Sequence, residues 1–148
     1  MENLVEMILA GLAAYLIISL IWYIIMVVAN WRIFTKAGEA GWKSIIPFLN
    51  TYVVFKIAWN IKMFWIMMGT LIVGSICTSI AGEQGGVLAI IGAVFSLASC
   101  VVGIIVVHKL SKSFGHGIGF TLGLLFLSPI FTLILGLGSS EYIGPIEN

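Results

Sequence analysis

Side chains that could carry chemistry are scarce in this 148-residue chain, and both of its histidines fall in one short stretch. His108 and His116 lie there with Lys109 and Lys112, which could support acid–base chemistry on a lipid headgroup. Two histidines with no carboxylate or thiol beside them make a poor metal site. The chain has no Asp, and its long apolar runs contain no charged residue, so the usual signs of an ion or proton pathway are missing. We therefore predict no catalytic residue, no metal and no cofactor.

The glycine-rich segment 115–119 comes just before an apolar run. Backbone N–H groups at the start of a helix can bind a phosphate. The segment follows no predicted strand and lacks the Lys-Ser/Thr pair of a phosphate loop, so nucleotide binding is not expected. A lipid phosphate or a simple turn fits better, and we expect no nucleic-acid partner.

The elements that must position these residues are membrane helices. The composition is 61% hydrophobic and 9% charged, which is far too apolar for a small soluble domain. All seven Lys and Arg residues lie in two hydrophilic stretches, and five of the six acids lie in the other three. Cytoplasmic loops retain Lys and Arg, so this alternation predicts an even number of crossings with both termini extracytoplasmic. Those five acids are Glu2, Glu6, Glu83, Glu141 and Glu147.

The apolar runs predict one all-α domain over residues 1–148, with four transmembrane helices. The last run contains Pro129, whose missing N–H should bend the helix and make it a hinge. The predicted spans are about 9–31, 63–80, 87–107 and 120–137.

The segment 44–61 is also apolar, but Pro47 and Lys56 interrupt it. A crossing here would place Lys62 on the side opposite to Lys43 and destroy the sidedness. We therefore predict a cytoplasmic helix at about 48–59 that is either interfacial or re-entrant.

Small residues recur at steps of three or four along the third span. In lipid, close backbone packing rather than hydrophobicity drives helix association, so this face predicts a helix at the centre of a bundle. A polar pathway along Ser96 and Ser99 is the alternative. The predicted packing face is Ala89, Gly92, Ala93, Ser96, Ser99 and Gly103.

The inner loops face the leaflet that carries anionic lipids, which attract Lys and Arg. The alternative is that these charges only set the topology. The predicted headgroup contacts are Lys36, Trp42, Lys43, Lys56, Lys109, Lys112 and His116.

The two inner loops also resemble each other. Each reads Lys, a glycine-rich turn, an aromatic residue and an apolar run with Pro, from Lys36 to Pro47 and from Lys112 to Pro129. This pattern indicates two parallel helix-pair repeats.

Two segments carry a family resemblance. The first contains Ala37, Gly38, Gly41, Trp42, Ile45, Ile46, Pro47, Asn50 and Tyr52. The second runs over 112–120 and continues through Leu122, Gly123, Leu124, Phe126, Leu127, Ile130, Phe131, Ile134, Leu135, Gly136, Gly138, Tyr142, Gly144 and Pro145. With these motifs the chain resembles the small bacterial integral membrane proteins catalogued as domain of unknown function 5684. It departs from their pattern at His116, where Lys is frequent, and at Ser128-Pro129.

The resemblance implies a fold in the bacterial inner membrane but no activity. Some members carry a signal peptidase label, which this sequence does not support. That chemistry needs a Ser nucleophile and a Lys base on the outer side, where this chain is predicted to have no Lys.

The leading hypothesis is a non-enzymatic membrane module that packs with itself or with a membrane partner and contacts anionic lipid from inside. The alternative is a subunit of an oligomeric channel or small-molecule transporter. A membrane enzyme that uses His116 and Lys112 on lipid headgroups is the third hypothesis.

Overall fold

The computed structural model describes residues 2–82 and 85–146, and all its regular elements there are helical. Glu83 and Glu147, two of the acids behind the predicted sidedness, lie outside the described residues. The elements are α1 (Glu2–Lys36), a 3₁₀-helix (Gly41–Ser44), α2 (Pro47–Ala58), α3 (Ile61–Ala81), α4 (Val87–Ser113), α5 (Ile118–Phe126) and α6 (Ser128–Leu137).

Within the described residues three helices, α1, α3 and α4, are long and apolar enough to cross a membrane. The all-α prediction is thereby confirmed for these residues, and the long apolar helices are compatible with a membrane protein. The predicted interfacial segment corresponds to α2, which has 12 residues.

The predicted fourth span over 120–137 is not one continuous helix. The backbone breaks at Leu127, which separates α5 from α6. These helices have 9 and 10 residues, so each is about 15 Å long and covers half of a hydrocarbon core. A Cβ at Gly123 would overlap the Phe131 ring, so the two helices pack tightly against each other as an antiparallel hairpin.

The hairpin returns the chain to the end of α1. Lys36 Nζ donates hydrogen bonds to the carbonyl oxygens of Leu135 and Gly138, both at 2.7 Å. His116, just before α5, contacts Ser140, just after α6, at 2.7 Å between Nε2 and Oγ. Residues 138–146 therefore lie among the cations, whereas the fourth crossing was predicted to carry them to the opposite side.

The first cationic stretch also folds back along the helix that precedes it. The Ser44 hydroxyl donates to the Val27 carbonyl oxygen at 3.2 Å, and the Tyr23 hydroxyl donates to the carbonyl oxygen of Ile45. From there α2 runs back to Ala58, whose carbonyl oxygen accepts a bond from the Ile146 N–H at 3.0 Å. Residues 37–58 thus form a second hairpin.

The two hairpins begin with the same turn. Gly38 and Gly115 both have a φ of +75°, a conformation that favours glycine. In each case the backbone N–H of the residue after the glycine donates a hydrogen bond to the carbonyl oxygen five positions earlier. These bonds run from Glu39 to Phe34 and from His116 to Ser111. The helix that closes each hairpin then packs on the other repeat, α2 on α4 and α6 on α1. This reciprocal packing agrees with the duplication predicted from the sequence.

The core lies at the cationic end of the molecule, where the hairpins meet the long helices. Phe64 is fully buried and makes edge contacts with the rings of Phe48, Tyr52 and Phe55. The side chains of residues 3–24 are exposed and mostly apolar, so we expect lipid to cover them. The other buried core residues include Ile33, Phe34, Val53, Ile57, Leu110 and Leu135.

Candidate functional site

We define the cation face as the ends of α1 and α4, the start of α3, residues 37–46, the end of α2 and the tail 138–146. Bonds between the tail and each of the α1, α2 and α4 ends hold this face together. Six of the seven predicted headgroup contacts lie on this face, and the seventh, His116, contacts its tail through Ser140. The structure divides them into internal and exposed groups.

Glu39 is the ionic centre of the cation face. Its carboxylate forms ion pairs with Lys43, at 2.7 Å, and with Lys56, and its side chain is only 12% exposed. Hydrogen bonds from these two ammonium groups hold the pKa of Glu39 below its usual value. The bond with Glu39 raises the pKa of Lys56. The sequence analysis missed Glu39, although it is the one acid in a cationic stretch.

Two other predicted headgroup contacts hold the backbone together. Lys36 caps the end of α6 through the two carbonyl bonds given above, where a cation also complements the helix dipole. Lys109 is 7% exposed, donates to the Ile146 carbonyl oxygen at 2.6 Å and lies 4.8 Å from the centroid of the Trp59 ring. Both lysines therefore have internal roles.

The cations that remain available to a membrane surface are Arg32, Lys62 and Lys112. All three are exposed, and none forms an ion pair within residues 2–82 and 85–146. Trp42 is 51% exposed. Arg32 and Lys62 were outside the predicted set, and their exposure at helix ends is the feature that could have identified them.

His116 and Ser140 are the groups closest to a catalytic arrangement. The Ser140 hydroxyl lies 2.7 Å from the His116 ring nitrogen, and a serine nucleophile is activated by a base at such a distance. A working pair also needs a polar group that orients the base, but the His116 ring stacks on Phe120 with centroids 4.1 Å apart. In the described part of the chain no carboxylate hydrogen-bonds His116, and no three metal-binding side chains come together. His108 contacts Thr121 at 2.9 Å in the packing of α4 on α5.

The tail forms one wall of an open cavity of about 450 Å³, which we call the tail pocket. The Tyr142 hydroxyl donates to the Ile57 carbonyl oxygen, and the Ile143 N–H donates to that of Ser113, both at 2.7 Å. Burial, and secondarily the charge of Glu39, raise the pKa of Tyr142. The pocket is lined by Lys36, Gly138, Ser139, Ser140, Glu141 and Tyr142.

The predicted small-residue face lies against α3 over part of its length. A Cβ on Gly92 would come within 2.6 Å of Thr78 Cγ2, and the hydroxyls of Ser99 and Thr70 are 2.6 Å apart. Gly74 on α3 lies against Ser96 and Gly92. Ala93 and Ser96 are exposed, and Gly103 has open space where a Cβ would lie.

These features define an all-helical protein with three helices of membrane-spanning length and a cationic end. A family model described as "Family of unknown function (DUF5684)" matches residues 42–145. The chain belongs to this family, as its motifs suggested. No match was found among curated proteins or among solved structures.

Proposed function

We propose that the protein is a non-enzymatic membrane module whose cation face contacts anionic lipid headgroups. The observation that carries this proposal is the exposure of Arg32, Lys62 and Lys112 without ion-pair partners in the described chain. Their charges are available to a surface, whereas Lys43 and Lys56 share the single negative charge of Glu39.

The proposal includes a revised threading. Cations are retained in the cytoplasm, so the cation face should lie against the inner leaflet. α1, α3 and α4 then cross the membrane, and the two hairpins enter it from the cytoplasmic side. The backbone of such hairpins is tolerated at membrane depth where protein surrounds it. The N-terminus would be extracytoplasmic and the tail cytoplasmic.

The strength of the lipid contact follows from the exposed charges. Each cation near an anionic membrane surface contributes about 1 kcal/mol. Three such cations give about 3 kcal/mol, or about a hundredfold preference for an anionic over a neutral surface. The aromatic ring of Trp42 suits the headgroup region and would add an anchor.

Lipid retention tests this proposal. The protein is reconstituted in nanodiscs of equal parts phosphatidylglycerol and phosphatidylcholine and released into mild detergent, and its retained lipids are counted by native mass spectrometry. We expect wild type to retain mostly phosphatidylglycerol and the triple variant Arg32→Gln, Lys62→Gln, Lys112→Gln to lose that preference. Equal retention of the two lipids by wild type would contradict the proposal.

A matched pair of single variants controls for net charge. Lys62→Gln and Lys43→Gln each remove one positive charge, but Lys43 is paired with Glu39 and Lys62 is exposed. We expect the first variant to reduce phosphatidylglycerol retention more than the second. Equal effects would mean that net charge alone sets the preference.

The repeat architecture favours a second candidate, a subunit of an oligomeric channel or transporter. Parallel repeats with interrupted helices are common in secondary transporters, whose sites lie where the repeats meet. In this chain α2 packs on α4, and α6 packs on α1. Proteoliposomes loaded with a pH-sensitive dye would reveal proton flux, and a bulky Ser96→Leu substitution should abolish flux along the polar face of α4. Protein that conducts neither protons nor potassium would remove this candidate.

A further inference from the structure

We propose that the tail pocket binds the phosphate of a singly charged phosphodiester. The inference builds on the proposed contact with lipid, because it assigns one specific headgroup site at the cation face. An ammonium group has three donors, and the two carbonyl bonds of Lys36 use two of them. The third remains for the pocket, which Lys36 helps to line.

The tail supplies further donors beside this ammonium group. The hydroxyl of Ser139 is exposed in the pocket wall and has no hydrogen-bond partner within the described residues. The backbone N–H groups of Ser139, Ser140 and Glu141 make no backbone hydrogen bond there either. Free N–H groups and a hydroxyl beside a cation can donate hydrogen bonds to anionic oxygens.

The pocket is held in shape from both sides. Ser140 is fixed to His116, Tyr142 to Ile57, and Ile143 to Ser113, each at 2.7 Å. Residues 139–141 are thus suspended between bonded neighbours. A ligand would not have to order this segment, so little conformational entropy is lost on binding.

Glu141 indicates which anion the pocket accepts. Its exposed carboxylate shares the lining with Lys36, so the net charge of the pocket is close to zero. A doubly charged phosphate gives up more hydration than a singly charged diester, and this lining offers it no net Coulomb attraction in return. The pocket should therefore prefer a phosphodiester, such as a phospholipid headgroup, to inorganic phosphate.

Titration calorimetry on the purified full chain in neutral detergent tests the site. The probes are dihexanoyl-phosphatidylglycerol, glycerophosphoglycerol and inorganic phosphate. We expect the first to bind and inorganic phosphate to bind more weakly. Binding of glycerophosphoglycerol as tight as that of the lipid also supports the phosphodiester site and identifies a soluble source. Absence of binding by both diesters, or tighter binding of inorganic phosphate, overturns the assignment.

Two variants that leave the internal bonds intact identify the pocket. Ser139→Ala removes one donor and should weaken binding about fivefold, whereas Glu141→Gln removes the repulsion and should tighten it by a similar factor. Diester binding unchanged in both variants overturns the pocket assignment.

The control Lys62→Gln separates the pocket from the general surface attraction. It should reduce phosphatidylglycerol retention in nanodiscs and leave calorimetric binding unchanged. If the diester binds in calorimetry but substitution of the exposed cations does not change phosphatidylglycerol retention, the pocket is supported and the surface proposal is refuted. The converse result supports the surface and refutes the pocket.

Discussion

Glu39 is the residue on which the cation face depends most. It is nearly buried and accepts bonds from two lysines that come from the loop after α1 and from α2. Without it, both ammonium groups would lose their partner. The carboxylate of Glu39 therefore joins the start of the first hairpin to the end of α2, and it is not available to a ligand.

The pH dependence of stability should reveal this role. The folded-state pKa of Glu39 lies below its usual 4.5, so its stabilisation is complete above about pH 4.5 and is lost as the pH falls through the lowered pKa. We expect Glu39→Gln to destabilise the protein by about 1 kcal/mol at pH 7, since Lys56 is 45% exposed and solvent screens the pair.

Thermal unfolding in detergent between pH 7 and pH 3 measures this effect. The Tm of wild type should fall toward that of Glu39→Gln as the pH decreases. A constant Tm difference across this range would contradict the assignment of the ion pairs.

The roles of single residues were the hardest part to predict from the sequence. The residue types indicated a cationic surface, and that much agrees with the structure. However, the partners of Lys36 lie 99 and 102 positions away, and the partner of Lys109 lies 37 positions away. No local pattern reveals that a lysine caps a distant helix, so the bonds of Lys36 and Lys109 to distant carbonyl oxygens were not predicted, and their contact with lipid stays a prediction.

At the scale of elements, glycine contacts decide how the helices approach. Gly92 of α4 lies against the backbone of α3, with only 3.0 Å between an added Cβ and the Thr78 nitrogen. Gly103 is on the same helix with nothing within 4 Å. The two positions form a matched pair because both were predicted to belong to one packing face.

Alanine substitution at these two glycines should have opposite effects. Gly92→Ala should destabilise the α3–α4 hairpin by about 1–3 kcal/mol, because a backbone atom cannot move aside as a side chain can. Gly103→Ala should be neutral or stabilising by up to about 1 kcal/mol through helix propensity. Unfolding of both variants in a denaturing detergent checks this, and equal stability would contradict the observed packing.

The hairpin of α5 and α6 depends on another glycine. An added Cβ at Gly136 would lie 2.5 Å from the carbonyl oxygen of Ala29, so alanine should push α6 away from α1. We expect Gly136→Ala to lower stability by about 1–3 kcal/mol and to expose the tail to protease. Gly119→Ala on α5, where nothing lies within 4 Å, is the control. Equal proteolysis of both variants would contradict the α1–α6 contact.

Hydropathy predicted the three long helices, since length and apolar composition suffice to define them. It failed for residues 120–137, because Leu127 is as apolar as its neighbours and only Pro129 marks the interruption. The break is accompanied by contacts that a hydropathy average does not register. These are the close approach of Gly123 to Phe131 and the capping of α6 by Lys36. The role of Pro129 as a hinge stays a prediction, and the structure places this residue in the first turn of α6, where its missing N–H costs nothing.

The whole molecule consists of two interlocked repeats joined through α3. Each repeat is a long helix followed by a hairpin that returns to the same end, and each hairpin closes on the other repeat. The core, the ion pairs and the tail therefore gather at the cationic end. At the opposite end α1 projects without packing partners in the described chain. This asymmetry supports a protein whose chemistry faces one leaflet.

The location of the tail relative to the cations tests this account most directly. Single cysteines are introduced as Asn3→Cys, Lys62→Cys and Glu141→Cys in a chain that carries Cys77→Ser and Cys100→Ala, and a membrane-impermeant maleimide is applied to intact and to permeabilised cells. We predict that position 3 is labelled in intact cells and that positions 62 and 141 are labelled only after permeabilisation. Labelling of position 141 from outside, with position 62 still protected, would mean that residues 120–137 cross the membrane and that the hairpin does not exist.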